Sequence, residues 1–353
     1  MPPIVRRATE PDRPAWDAFV NARPEADILQ SWSWGECAAL SGEPPVRILV
    51  EDAGTVRGVA QVLLRPAGFG RRVAYVAHGP VWDRSAADGD RIFAWLLHGL
   101  KRLSRREHAL VVKMDPRAEA DADFEFGHLA IEHGLRPAPD LQAPTTRIVP
   151  LLDGGDELEA SWHADARRLM RRAEREGTHV RISRKPDPEE IGILHDLLER
   201  TAERADFRVR SVEFLERLAT ELEPSGGWYL GIARVKGTPI AAMCFPRIGD
   251  RAYYLYGALL RDPAYKHNYG SHAVMAAMLK ALAAYGCKSV DMWGVVEPDD
   301  ADADPSWKGF SDFKRTFGGT PLRHPGLFDL VTDPFWYRLR TVRAGILERV
   351  GRS

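Results

Sequence analysis

The spacing of apolar residues changes period several times along the chain. Residues 46–51 (VRILVE) and 56–64 (VRGVAQVLL) are β-branched runs bounded by Gly and Pro, the signature of strands. Residues 72–76 and 109–114 (ALVVKM) read the same way. Between them, 88–106 repeats Ile92, Trp95, Leu96, Leu100 and Leu103 at the spacing of an amphipathic helix. Strands alternating with helices predict an α/β (α+β) fold. A polar, Pro-rich stretch at 136–150 interrupts the rhythm and marks a domain boundary.

The rhythm then restarts. Residues 157–176 predict one helix, closed by Gly177 at the C′ position. Strands are predicted at 179–183, 228–234, 240–247, 251–257 and 289–293, with helices at 188–203 and 271–285. The tail, 333–351, has the pattern of a basic amphipathic helix. Two halves with one rhythm are consistent with two copies of a single α/β unit. Their mutual identity is too weak to establish a repeat.

Length supports that division, because 353 residues exceed one average domain and suit two. The formal net charge of −1 excludes a general polycation, so any nucleic-acid contact must come from a local patch. Cys37, Cys244 and Cys287 are scattered, which argues against a disulfide framework and a zinc site. The N-terminus lacks an apolar signal core, and no stretch approaches the roughly 20 apolar residues of a membrane span. The expectation is a reducing, cytoplasmic compartment. Neither a metal-ligand cluster nor a Ser/Cys–His pair stands out, so neither a metal nor another cofactor is expected.

Several segments carry candidate chemistry. QSWSWGE at 30–36 places two tryptophans on a turn of helix, as core or as a contact surface. In 158–177, Arg167, Arg171 and Arg175 share one helical face. That face is either a solvated surface, salt-bridged with Glu174 and Glu176, or a site for RNA or nucleotide phosphates. In AYYLYGAL, Tyr254 and Tyr256 alternate onto one face of a strand, as structural residues or as two phenols in one cleft. WKGFSDFKRTFGG at 307–319 interleaves Lys308, Lys314 and Arg315 with Trp307, Phe310, Phe313 and Phe317. Such interleaving suits an RNA end, where bases stack and cations meet phosphate.

Taken in order, these segments resemble the Fem family (FemABX) of tRNA-dependent non-ribosomal peptidyltransferases. The matching residues are Gln30 and Trp34; Asp115 and Pro116; Arg167, Arg171, Ala173, Glu174 and Gly177. They continue with Tyr254, Tyr256, Gly257 and Ala258; Asp291, Trp293 and Gly294; and Phe313, Lys314, Phe317, Gly318 and Gly319. The matches span nearly the whole chain, and no heptad-rich insertion is present, so the likeness is to the compact, armless kind. The resemblance implies two tandem GNAT-like acyltransferase domains. The first is 1–148, completed by 320–353, on the acceptor side; the second is 149–319, on the aminoacyl-tRNA side.

The resemblance also implies an activity. An amino acid would pass from aminoacyl-tRNA to an amine on the stem peptide of a peptidoglycan precursor, either a UDP-linked muropeptide or its lipid-linked form. By family position, the Lys314 cation stabilises developing charge and Phe313 stacks on the terminal adenine. Arg315, Lys308, Arg167 and Arg171 face the tRNA. Arg210 contacts an acceptor phosphate, with Phe214 at a position where members can carry Tyr. Gln30, Trp34 and Tyr254 join substrate binding, and Tyr256 hydrogen-bonds the acceptor peptide. Asp115 is a candidate base, with a structural strand-end turn as the competing role.

One position departs from the pattern. Where some members carry a phosphate-binding lysine, this chain has Ala38. Losing a charged hydrogen bond there weakens a UDP-linked acceptor by about 1–3 kcal/mol. Either another cation replaces it, or the acceptor differs and is the lipid-linked precursor or a small-molecule amine of secondary metabolism. The tail bears on the choice. Phe335, Trp336 and Tyr337 lead into Arg338, Arg340, Arg343, Arg349 and Arg352, which predicts either peripheral contact with the inner membrane face or a terminal helix packed on the first domain. An acyl-CoA-dependent N-acyltransferase is the competing enzyme. Its pyrophosphate loop would fall at 267–272, which lacks the Arg and the final small residue. A non-enzymatic RNA-binding module would need basic surface throughout, against the net charge.

Overall fold

A computed structural model of the chain describes residues 3–117, 126–152, 154–205, 208–298 and 305–350. Two units emerge: residues 1–141 with 324–353, and residues 142–323. The first begins β1 (Ile4–Arg7), α1 (Arg13–Asn21), α2 (Trp32–Leu40), β2 (Pro45–Asp52), β3 (Thr55–Gly68), β4 (Arg71–Val76) and β5 (Val81–Trp82). It continues α3 (Gly89–Arg106), β6 (Ala109–Met114), α4 (Phe126–Glu132) and β7 (Arg136–Ala138). The second unit begins β8 (Thr145–Pro150), α5 (Gly155–Ala160), α6 (Ala164–Arg175), β9 (Thr178–Ser183), α7 (Pro188–Ala205) and α8 (Val212–Leu222). Then come β10 (Trp228–Val235), β11 (Thr238–Ile248), β12 (Arg251–Tyr253), β13 (Tyr256–Leu259), α9 (Gly270–Ala284), β14 (Ser289–Asp291), α10 (Lys308–Arg315) and β15 (Thr320–Arg323). The chain ends in the first unit with β16 (Leu327–Val331) and α11 (Pro334–Val350).

The first sheet has the order β1-β2-β3-β4-β6-β16-β7, with β5 on β3. Its pairs are antiparallel except β4 with β6, which need the α3 crossover to run parallel. Helix α3 buries Ile92, Phe93, Leu96, Leu97 and Leu100 among strand residues such as Val50, Val62 and Val112. The second sheet has the order β15-β8-β14-β12-β11-β10-β9, with β13 on β11. Here β12 and β14 are the parallel pair, joined through α9. That helix buries Val274, Met275, Met278, Leu279 and Leu282 with Ile240, Met243 and Phe245. Each half is therefore a GNAT-like α/β unit.

Three local expectations change. The helix expected over 157–176 is two helices, because Trp162 turns into the core, edge-on to Phe317 at 5.4 Å. His163 then restarts the helix, its side chain accepting from the Asp165 amide. The strand expected over 251–257 splits after Tyr253. The Tyr254 amide donates to Asp291 and the Leu255 amide to Cys244, so adjacent residues serve different neighbouring strands. Tyr254 and Tyr256 thus do not share one strand face. Finally, β15 pairs with β8 in the second sheet, and the return to the first unit starts at His324 rather than at 320.

Candidate functional site

Lys314, on α10 of the second unit, is only 7% exposed. Its Nζ donates to the Gly294 carbonyl at 2.7 Å. The same atom lies 4.9 Å from the centre of the Phe310 ring and 5.3 Å from that of Tyr254. Burial pushes the ammonium down to about 7, while Asp291 pulls weakly the other way. The group is poised between its charged and neutral forms, because desolvation opposes the charge and no carboxylate contact restores it.

Three motifs converge on this amine. The first is Asp-x-Trp-Gly. Asp291, fully buried, accepts from the Thr146 hydroxyl and from the Trp293 amide at 2.7 Å. That carboxylate holds Trp293 at φ 58, a left-handed conformation disfavoured for a bulky residue. The turn aims the Gly294 carbonyl at Lys314. A Cβ on Gly294 would lie 2.6 Å from Ala143 and 2.8 Å from Trp307, so only Gly fits. The second motif is Tyr-x-Tyr-Gly. The Tyr254 ring stacks on Phe245 at 5.2 Å and passes over Gly257, where a Cβ would lie 2.0 Å from its hydroxyl oxygen. Burial raises that phenol above the usual tyrosine range. The third motif is Phe-Lys-x-x-Phe-Gly-Gly. Phe317 is fully buried, and Gly318 and Gly319 take φ of 81° and 78°. Arg147 clamps them, donating to the Gly319 carbonyl at 2.6 Å and to Glu297 at 3.0 Å.

The other expected residues of this unit differ in exposure. Phe313 is half-buried, with its ring 5.0 Å from His272 and 5.5 Å from Phe317. Burial pushes that imidazole down to about 4. Arg315 donates to the Val296 carbonyl at 2.6 Å and pairs with Asp312. Lys308 is exposed and Tyr256 half-buried. Arg210 lays its guanidinium over the Phe214 ring at 4.9 Å. Phe214 itself is fully buried and forms an apolar plate beneath Arg210. On α6, Arg167, Arg168, Arg171, Glu174 and Arg175 line an open concavity of about 720 Å³. Part of that charge is neutralised, by Arg171 with Glu159 and Arg168 with Asp165, both at 2.8 Å.

Asp115 belongs to the first unit, directly after β6. It is buried and accepts from the Tyr75 hydroxyl and the His78 amide, each at 2.7 Å. Burial raises its carboxyl to about 6, against the pull of His78. Beside it lies a cluster the sequence did not announce. The His78 imidazole pairs with Asp27, whose same oxygen also meets Arg117 at 3.0 Å. Burial alone would lower His78, but the Asp27 charge reverses this and raises it. Burial alone would raise Asp27, but His78 and Arg117 bring it below the usual range. Long-range pairing leaves no periodic trace; a His before Gly-Pro and an Arg after Asp-Pro were the available hints.

Gln30 and Trp34 are both buried in the first unit. Gln30 is fully buried, donating to Ala77 at 2.7 Å and accepting from the Gln61 amide at 2.9 Å, which ties its turn to β3. Trp34 and Ala38 are buried along α2. Among the described residues, His195, Asp196 and Glu199 of α7 bring potential ligand atoms within 4.8 Å of one another at the surface. Among the same residues, no helix is long and apolar enough to cross a membrane. Arg343, Arg349 and Arg352 lie outside the described side chains.

Comparison with known proteins agrees with this geometry. Residues 160–315 match the family model "Acetyltransferase (GNAT) domain". The chain is 24% identical to the Lipid II:glycine glycyltransferase of Staphylococcus epidermidis, over 92% of each protein. It is 25% identical to the Staphylococcus aureus protein of the same name, again over 92% of each. Among solved structures, a crystal structure of FemX superposes with a TM-score of 0.82 at 22% identity, covering 95% of this chain and 99% of that one. A tandem GNAT protein from the clavulanic acid biosynthesis pathway superposes with a TM-score of 0.59 at 12% identity, covering 94% and 99%. The motifs that meet at Lys314, the two GNAT-like units and these likenesses along most of the chain support a transferase related to the Fem family.

Proposed function

We propose that this chain moves an amino acid from aminoacyl-tRNA to an amine on the stem peptide of a peptidoglycan precursor, building an interpeptide bridge. Glycine is the proposed residue and the lipid-linked precursor the proposed acceptor, because the full-length relatives are named for both. Ala38 supports the same acceptor, since a UDP-linked one would lack a cation there.

Aminolysis of the ester forms a C–N bond and breaks the bond from carbonyl carbon to ribose oxygen. The amine proton ends on the ribose oxygen. The observation that carries the reading is the buried Lys314 amine. Its charge is disfavoured in the free site and becomes favoured once an oxyanion develops nearby, so it binds the transition state more than the ground state. In this scheme Tyr256 hydrogen-bonds the acceptor peptide, with Tyr254 as the aromatic wall beside Lys314. Arg210, backed by Phe214, meets an acceptor phosphate. Phe313 stacks on the terminal adenine. Arg167, Arg171 and Lys308 follow the tRNA backbone, and Arg315 holds the 296 loop in place.

The test is a transfer assay with a pool of labelled aminoacyl-tRNAs and two acceptors, the UDP-linked muropeptide and the lipid-linked form. Label from glycyl-tRNA on the lipid-linked acceptor is the expected result. Ester turnover that modifies neither acceptor would redirect the reading to a small amine. Inactivity with every charged tRNA would overturn the donor.

A further inference from the structure

Helix α11 has two contrasting faces. Trp336 and Tyr337 pack against Val73, Leu110 and Val111 of the first unit, and the Tyr337 hydroxyl donates to Asp329 at 2.9 Å. On the other side Phe335, Leu339 and Val342 are 70%, 46% and 61% exposed. Their i, i+4, i+7 spacing confines them to a stripe about 60° wide. A second element meets this stripe. Phe69, 72% exposed, stands at the tip of the β3–β4 turn between Gly68 and Gly70. Its ring lies 5.7 Å from Trp336, and Phe335 lies 5.6 Å from Trp336 on another side. The patch is therefore continuous through Trp336.

Apart from its ring contact with Trp336, Phe69 stands out from the first unit. Its φ of 52° is strained for a bulky residue, and its ring faces water. The rim of the patch is cationic. Arg71 sits 5.1 Å over the Trp336 ring, and Arg338 and Arg340 are exposed on the helix. Asp333, 3.5 Å from Arg71, offsets part of that charge. Large aromatic and aliphatic side chains ringed by arginine match the chemistry of a lipid interface, where rings enter the headgroup layer and guanidinium groups meet phosphate.

We propose that this patch docks the first unit on an anionic phospholipid bilayer, with Phe69, Phe335, Leu339 and Val342 entering the interface. The biological use of the contact rests on the lipid-linked acceptor proposed above, but the contact itself does not require it. The test uses the full chain and vesicles of phosphatidylglycerol and phosphatidylcholine that contain no peptidoglycan precursor. The protein should co-sediment with anionic vesicles, weakly with phosphatidylcholine alone, and less at high salt. The Phe335→Ser, Leu339→Ser double variant should lower partitioning roughly tenfold or more, with an unchanged melting temperature.

A second readout covers misfolding of that variant. All three native cysteines are buried, so an environment-sensitive fluorophore can be placed on Phe69→Cys alone. Its emission should shift to the blue on anionic vesicles. No binding to anionic vesicles, or equal binding by the double variant, overturns the proposal. So does a self-associated protein that Phe335→Ser makes monomeric, since the patch would then cover a second copy. Vesicle binding together with transfer only to the soluble acceptor would uphold the surface and overturn the acceptor.

Discussion

The two units share a topology and differ in how they bury charge. Each has a crossover helix between two parallel central strands, and each buries an aspartate where the second of these strands ends. In the first unit Asp115 belongs to a closed set: Tyr75 and His78 donate to it, and His78 in turn pairs with Asp27 and thence Arg117. In the second, Asp291 is engaged by Thr146 and by the Trp293 turn, and the neighbouring cation, Lys314, meets a carbonyl and two ring faces. Opposite charges in contact hold a structure; a desolvated cation whose hydrogen bond goes to a carbonyl holds a chemical potential for charge yet to come. The contrast separates a cluster that supports the fold from an amine that is free to respond to substrate.

Substitutions can break that contrast. The largest effect is expected at Asp27. Asp27→Ala leaves His78 and Arg117 buried without their carboxylate, which costs about 3–5 kcal/mol in thermal or urea unfolding. Because the folded Asp27 carboxyl is held low, the stability it contributes is present above the ordinary Asp range and is lost as pH falls through its folded value. The raised His78 contributes below the ordinary His range and loses that contribution as pH rises through its own folded value. An unfolding free energy unchanged in Asp27→Ala would show that the cluster does not support the fold.

Gly257→Ala comes next. The new Cβ would fall on the Tyr254 hydroxyl, and moving that ring should cost about 1–3 kcal/mol while also lowering turnover. Retention of full activity would show that the Tyr254 wall is dispensable.

Lys314→Met should reduce turnover about tenfold or more, equivalent to about 1.4 kcal/mol in the barrier, without lowering the melting temperature. Its folded pKa, about 7, lies below the unfolded 10.5, so the unfolded chain binds more protons between those values. Stability of the native protein should therefore rise with pH across that window, and the variant should lose this rise. A variant destabilised at neutral pH would make Lys314 part of the scaffold. The smallest effect is expected from Arg210→Ala, a severalfold rise in KM for a phosphorylated acceptor with kcat little changed. A pure kcat effect would contradict its assignment.

Regular elements were legible because they rest on local spacing. The strand at 109–114 and the helix over 88–106 have patterns that decide face and period without help from the rest of the chain. The breaks were not legible. Residues 157–176 satisfy a helical period, yet Trp162 gains more from the core beside Phe317 than from an uninterrupted helix. Residues 251–257 read as one strand, and only the presence of two partner strands splits them at Tyr254. Among site residues, Lys314 stood out by its aromatic neighbours in sequence. Gln30 and Trp34 stood out equally, and their partners at Ala77, Gln61 and along α2 bury them in the first unit.

The chain by itself determined its alternation of strands and helices, the glycines that its turns require and the order of its motifs, because each depends on neighbours within a few residues. The tertiary structure decided which of those motifs meet. Tyr254, Gly294 and Lys314 lie up to 60 positions apart and come together only when the second sheet forms. It also decided which polar groups are desolvated, since burial is a property of the assembled core and no local pattern encodes it.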